Sequence, residues 1–148
     1  MEALSLNTSL LLNPTLSMSE REIQLLLEDM LEAAGKIASY TSGMSFENFI
    51  ADDKTVDAVV RNFEIIGEAA NRVPDDFKLN HPEIEWRRMT GLRNRIIHEY
   101  FGVDYTTVWK IKDENVPELA DFIQQALLQT IFRANADCFP SSFAENAD

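Results

Sequence analysis

One cysteine and two histidines leave this 148-residue chain with few metal ligands beyond its carboxylates. Cys138 has no partner in the chain, which excludes a disulfide framework and points to a reducing, cytoplasmic setting. His81, His98 and Cys138 stand at no spacing that suits structural zinc, and the carboxylates form no recognisable cluster, so neither metal nor cofactor is expected. Glycine and proline are scarce, at five each, which disfavours a turn-rich β fold. No apolar run approaches the ~20 residues that span a bilayer, so no membrane partner is expected. Cations are outnumbered as well, with 13 Lys and Arg against 25 Asp and Glu and a formal charge of −12. Such a surface repels phosphate backbones and argues against nonspecific binding to nucleic acid, with DNA not expected as a partner.

Leu, Ala, Glu, Ile and Asp are abundant instead, and they favour long helices. The opening stretch MEALSLNTSLLLNPTLS contains a Leu triplet. It lacks a basic segment, and Pro14 follows at once, so residues 1–17 read as a flexible extension rather than a targeting peptide. Met18 is an alternative start. Ser19 then caps a helix in which Ile23, Leu26, Leu27, Met30, Ala34 and Ile37 recur at helical steps, with Gly43 as terminator. Phe46, Phe49 and Ile50 suggest a short turn. Asp52 or Asp53 caps a second helix with Val56, Val59, Val60, Phe63, Ile66 and Ala70 on its inner face, and Pro74 stops it. Gly67 and Ala70 mark a place where another helix can come close.

DDFKLNHPEIEW reads as a connection with at most one helical turn, and His81 as a surface loop residue ahead of Pro82. A third helix is expected from Glu85 or Trp86 to about Phe101. Asp104 caps the next, which carries Val108, Trp109 and Ile111. Pro117 opens a last helix with Leu119, Phe122, Ile123, Ala126, Leu127 and Ile131 inside. The tail, residues 134–148, has no periodicity and is expected to be disordered. The fold expectation is all-α: an antiparallel bundle of four to five helices spanning residues 18–133.

Within the acidic chain, Arg87, Arg88, Arg93 and Arg95 crowd one short segment, RRMTGLRNR, which runs into IIHEYFGVD. A polyanion site should therefore be local. At about 100° per residue, Met89, Ile96, Tyr100, Leu92 and Ile97 share one arc, and Arg93 falls inside it. A buried guanidinium there needs a partner or a path to the rim. Asn94 and His98 stack one turn apart on the other side, where the amide could orient the imidazole. Arg93 and His98 lie about 140° apart around the helix. A second copy of this helix would complete the set more easily than one chain, so a two-fold homodimer through the motif helix is expected. Spacing alone leaves a structural histidine and a solvated arginine surface open beside catalysis.

The string RNRIIHEY has the form R-x4-H-x-Y, built by Arg93, His98 and Tyr100 with Asn94 after the arginine. Together with IGEAANRVP, HPEIEWRRMTGLRNRIIHEYFGVD and VWKIKDENVPEL, it resembles the HEPN superfamily, specifically HepT-type toxins paired with minimal nucleotidyltransferase antitoxins. The resemblance covers residues 18–133. It implies a helical homodimer with metal-independent endoribonuclease activity. His98 would then be the acid/base, a task an imidazole titrating near neutrality suits. Arg93 would stabilise charge on the phosphorane-like transition state, and Asn94 would orient His98 or hold a phosphate oxygen. The ribose 2′-hydroxyl serves as internal nucleophile. Arg88 and Arg95 are candidate RNA contacts. Tyr100 would accept AMP from the partner nucleotidyltransferase, and the added anion would block RNA entry, although the helix angles put this tyrosine on the core-side arc. The implied partners are RNA, the antitoxin and a second copy. A non-catalytic target or binding subunit of the nucleotidyltransferase complex is the competing function.

Overall fold

The computed structural model describes residues 18–98 and 102–137, which hold seven helices and no strand. These are α1 (Glu20–Tyr40), α2 (Phe46–Ala51), α3 (Asp53–Arg72), α4 (Asp75–Asn80), α5 (Trp86–His98), α6 (Tyr105–Glu114) and α7 (Val116–Asp137). No helix among them is long and apolar enough to cross a membrane. The all-helical class follows the composition, while α2 and α4 exceed the turn and connection expected from sequence.

Local chemistry fixes the helix ends. Ser19 caps α1 in a capping box, accepting from the Glu22 amide while Glu22 accepts from the Ser19 amide at 2.8 Å. Asp52 caps α3, accepting from the Thr55 hydroxyl at 2.7 Å. Asp104 caps α6, accepting from the Thr106 amide at 3.0 Å. These bonds hold the Glu22, Asp52 and Asp104 carboxyls below the usual carboxylate range: chiefly the Ser19 amide for Glu22, the Thr55 hydroxyl for Asp52 and the Thr107 hydroxyl for Asp104. Gly43, at φ 72, turns the chain after α1 in the left-handed region that a side chain would strain.

The core is built from the stripes legible in the sequence. Ile23, Leu26, Leu27, Met30, Ala34 and Ile37 are buried on α1, and Val56, Val59, Phe63, Ile66 and Ala70 on α3. The α1 helix packs on both α3 and α7, and α3 carries α5 on its other side. Truncating a fully buried member such as Leu27 to Ala should cost about 2–5 kcal/mol. Phe49 is wholly buried and lies 5.0 Å from the Trp109 ring, tying α2 to α6. The last helix reaches Asp137, past residue 134 where sequence reading started the tail.

Candidate functional site: the α3–α5 contact and the end of the motif helix

The start of α5 is anchored by an aromatic cluster. Trp86 is buried and donates its indole N–H to the His81 carbonyl at 3.0 Å. The His81 ring stacks on Phe77 at 4.4 Å, and its Nδ1 meets Glu83 Oε1 at 3.1 Å. His81 is therefore a buried anchor, not the surface loop residue expected from its place beside Pro82. The stacking that buries it comes from α4, an element that the sequence pattern did not resolve.

From this anchor α5 runs against α3, with Met89 and Ile96 buried. At Gly67 there is no room for a side chain. A Cβ there would collide with the Cβ of Arg93 and stand 2.9 Å from the Met89 carbonyl oxygen. The close approach inferred from Gly67 is thus made by α5, and Arg93 is the residue laid across the gap.

Arg93 resolves the problem posed by its place on the buried arc. Its stem lies against α3 and its side chain keeps 29% exposure. Nη2 pairs with Glu68 Oε2 at 2.9 Å, and Nη1 donates to Asn94 Oδ1 at 2.9 Å. Nε is buried with no acceptor among the described residues. The guanidinium borders a groove of about 230 Å³ between α1, α3 and α5, together with Asp29, Arg61, Arg72 and Ile97.

The remaining motif residues are distributed around α5. Asn94 and His98 are both exposed. The Asn94 carbonyl oxygen accepts from Arg93, which leaves the Asn94 amide N–H groups for the role expected toward His98 or a phosphate oxygen. His98 occupies the last described turn of α5. Arg88 is held by Glu85 at 2.8 Å and lines a different cleft, of about 340 Å³, against α3, α6 and α7. Arg95 is exposed and borders a small notch with Asp104 and Thr107. One chain therefore brings Arg93 and Asn94 together and leaves Arg88 and Arg95 bordering other hollows. Tyr100 lies outside the described residues. Among those described, no group of three His, Cys, Asp or Glu is placed to hold a metal ion.

Glu68 was not among the residues singled out from sequence. A signal existed: an arginine on a core-side arc demands a carboxylate on the opposing helix, and Glu68 directly follows the glycine that admits that helix.

The ribonuclease HepT-like family model matches residues 30–126, from the middle of α1 into α7. A Thermococcus cleftensis protein named "Probable ribonuclease HepT" is 50% identical over 93 residues, covering 63% of this chain and 84% of that relative. A Methanocaldococcus jannaschii protein named "Putative RNase" is 41% identical over 102 residues, covering 69% and 94%. Another "Putative RNase", from Caldanaerobacter subterraneus subsp. tengcongensis, is 37% identical over 101 residues, covering 68% and 90%. No solved structure matches the chain. The family model spans more than half of the sequence, and the chain belongs to the HepT-like ribonuclease family.

Proposed function

We propose that this protein is an endoribonuclease toxin that cleaves RNA by attack of the ribose 2′-hydroxyl on the adjacent phosphate. The observation that carries the reading is one helix, α5, bearing a guanidinium held at a groove by Glu68 and Asn94 and, beyond it, an exposed imidazole. His98 takes the 2′-hydroxyl proton or returns one to the leaving 5′-oxygen. Arg93 stabilises the charge that grows on the phosphorus oxygens, with one N–H on each Nη uncommitted to Glu68 or Asn94. The nucleophile belongs to the substrate and is already near the phosphorus, so the protein has only to position groups and move protons, without a metal or other cofactor.

Arg93 turns toward α3 while His98 lies about 140° further round α5, which supports a site completed by a second copy. The reading is therefore an antiparallel helical bundle that pairs through α5 into a homodimer. In the same reading the chain is cytoplasmic, its acidic surface receives a minimal nucleotidyltransferase antitoxin, and that partner silences the toxin by attaching AMP to Tyr100. Arg88 and Arg95 guide RNA toward the site from neighbouring faces of α5.

Purified chain without a partner should cut RNA in EDTA, and His98→Ala should lose that activity while keeping its melting temperature. Equal cleavage by the variant would overturn the assignment of His98. Absence of cleavage in the wild type, with AMP attached to Tyr100 by the partner, would favour a non-catalytic target subunit.

A further inference from the structure

Among the described residues, Arg93–Glu68 is the only ion pair that joins two helices; the others lie within a helix or between neighbours along the chain. It sits where Gly67 lets α5 come closest to α3. Glu68 is half exposed, so the pair gains little as a stability device, because solvent screens it and holding two long side chains costs entropy. A glycine in mid-helix is itself unfavourable. The combination is better explained by what it does to Arg93. The stem is trapped over Gly67, Nε is buried, Nη2 is fixed by Glu68 and Nη1 by Asn94. A free arginine samples many rotamers, and this one is contacted along its stem and at both terminal nitrogens.

We propose that Glu68 is a positioning residue for the cleavage reaction, acting through Arg93. It holds the planar guanidinium so that the uncommitted N–H groups face the reacting phosphate. This rests on the ribonuclease reading above, in which Arg93 touches that phosphate. The role requires an acceptor at the Glu68 carboxyl more than it requires its negative charge. Glutamine keeps an acceptor of the same reach, whereas alanine keeps none.

The test uses the full chain as wild type, Glu68→Gln, Glu68→Ala and His98→Ala, with a single-stranded RNA oligonucleotide and thermal melting of each protein. Glu68→Ala should lower kcat by about 10- to 100-fold, in line with the cost of a misplaced group. Its KM should stay within about twofold of wild type, because substrate binding is spread over other contacts. Glu68→Gln should recover most of the lost kcat. A ¹⁵N spectrum of the arginine side chains, with Arg93 assigned by Arg93→Lys, should show hindered guanidinium rotation in the wild type and in Glu68→Gln, and free rotation in Glu68→Ala. Wild-type kcat in Glu68→Ala would overturn the proposal. So would a loss that only follows the folded fraction, an equal loss in Glu68→Gln, or unchanged Arg93 rotation in Glu68→Ala. If the wild type cuts no RNA, or His98→Ala cuts as well as wild type, the ribonuclease reading fails at its own controls. The rotation change would then mark a structural pair only, and the positioning role falls with that reading.

Discussion

The two histidines stand at opposite ends of α5 and in opposite circumstances. His81 precedes the helix, buried, stacked on Phe77, paired with Glu83 and accepting the Trp86 indole on its carbonyl. His98 ends the described part of the helix with its ring exposed. The same side chain serves as an anchor where a ring face and one ring nitrogen are engaged, and stands open to solvent where the neighbouring residues leave it uncovered. The helix between them converts one condition into the other: it is fixed at its start, pressed against α3 where Arg93 crosses Gly67, and it carries His98 beyond that contact.

Exchanging each histidine should break the comparison most visibly. His98→Ala is predicted to reduce RNA cleavage by about 10²- to 10⁴-fold, the usual contribution of a positioned acid/base, with an unchanged thermal melt. His81→Ala should do the reverse, leaving cleavage per folded molecule intact, as read by single-turnover assays. Gly67→Ala comes next. The added methyl forces α5 away from α3, at a cost of about 1–3 kcal/mol for overpacking, partly offset by the better helix propensity of alanine. Denaturant melts should register that loss, and cleavage should fall with it because Arg93 moves, while near-UV dichroism from the Trp86 surroundings stays close to wild type.

The stability cost of His81→Ala is smaller, at about 1–2 kcal/mol for the lost stacking and carboxylate bond. The backbone carbonyl that receives the Trp86 indole survives that substitution. The mildest effect should separate neither histidine from the other. Glu22, Asp52 and Asp104 are held below the usual carboxylate range by their capping bonds. The folded chain thus prefers their ionised forms. That stabilisation is complete above the ordinary carboxylate pKa and fades as pH falls through the lowered values. Melting temperature should accordingly decline in acid, and Asp104→Ala should flatten part of the decline.

Much of the scaffold was legible in the sequence because α1, α3 and α7 are long enough to display a periodic apolar stripe. The six-residue helices α2 and α4 were not, since so short a segment has little more than one repeat to show. His81 was misjudged for the same reason: its burial depends on Phe77 in α4, a tertiary event that no local rule beside Pro82 announces. At the motif, angular bookkeeping put Arg93 on the buried arc and required a partner for it. It did not name Glu68, which becomes identifiable only when α3 and α5 are set in register. Asn94 illustrates a competition that spacing cannot rank. Its carbonyl oxygen could reach toward an imidazole one turn on or the adjacent guanidinium, and the charge-assisted bond is the stronger. Tyr100 falls outside the described residues, so its place relative to the groove belongs to the functional proposal.

The most direct test of the account is end-group analysis of RNA exposed to the purified chain in EDTA. Internal attack by the 2′-hydroxyl, with His98 moving the proton, predicts fragments ending in 2′,3′-cyclic phosphate and 5′-hydroxyl, and none with His98→Ala. Fragments bearing 5′-phosphate, cleavage that appears only when a divalent metal is added, or equal cleavage by His98→Ala would contradict it.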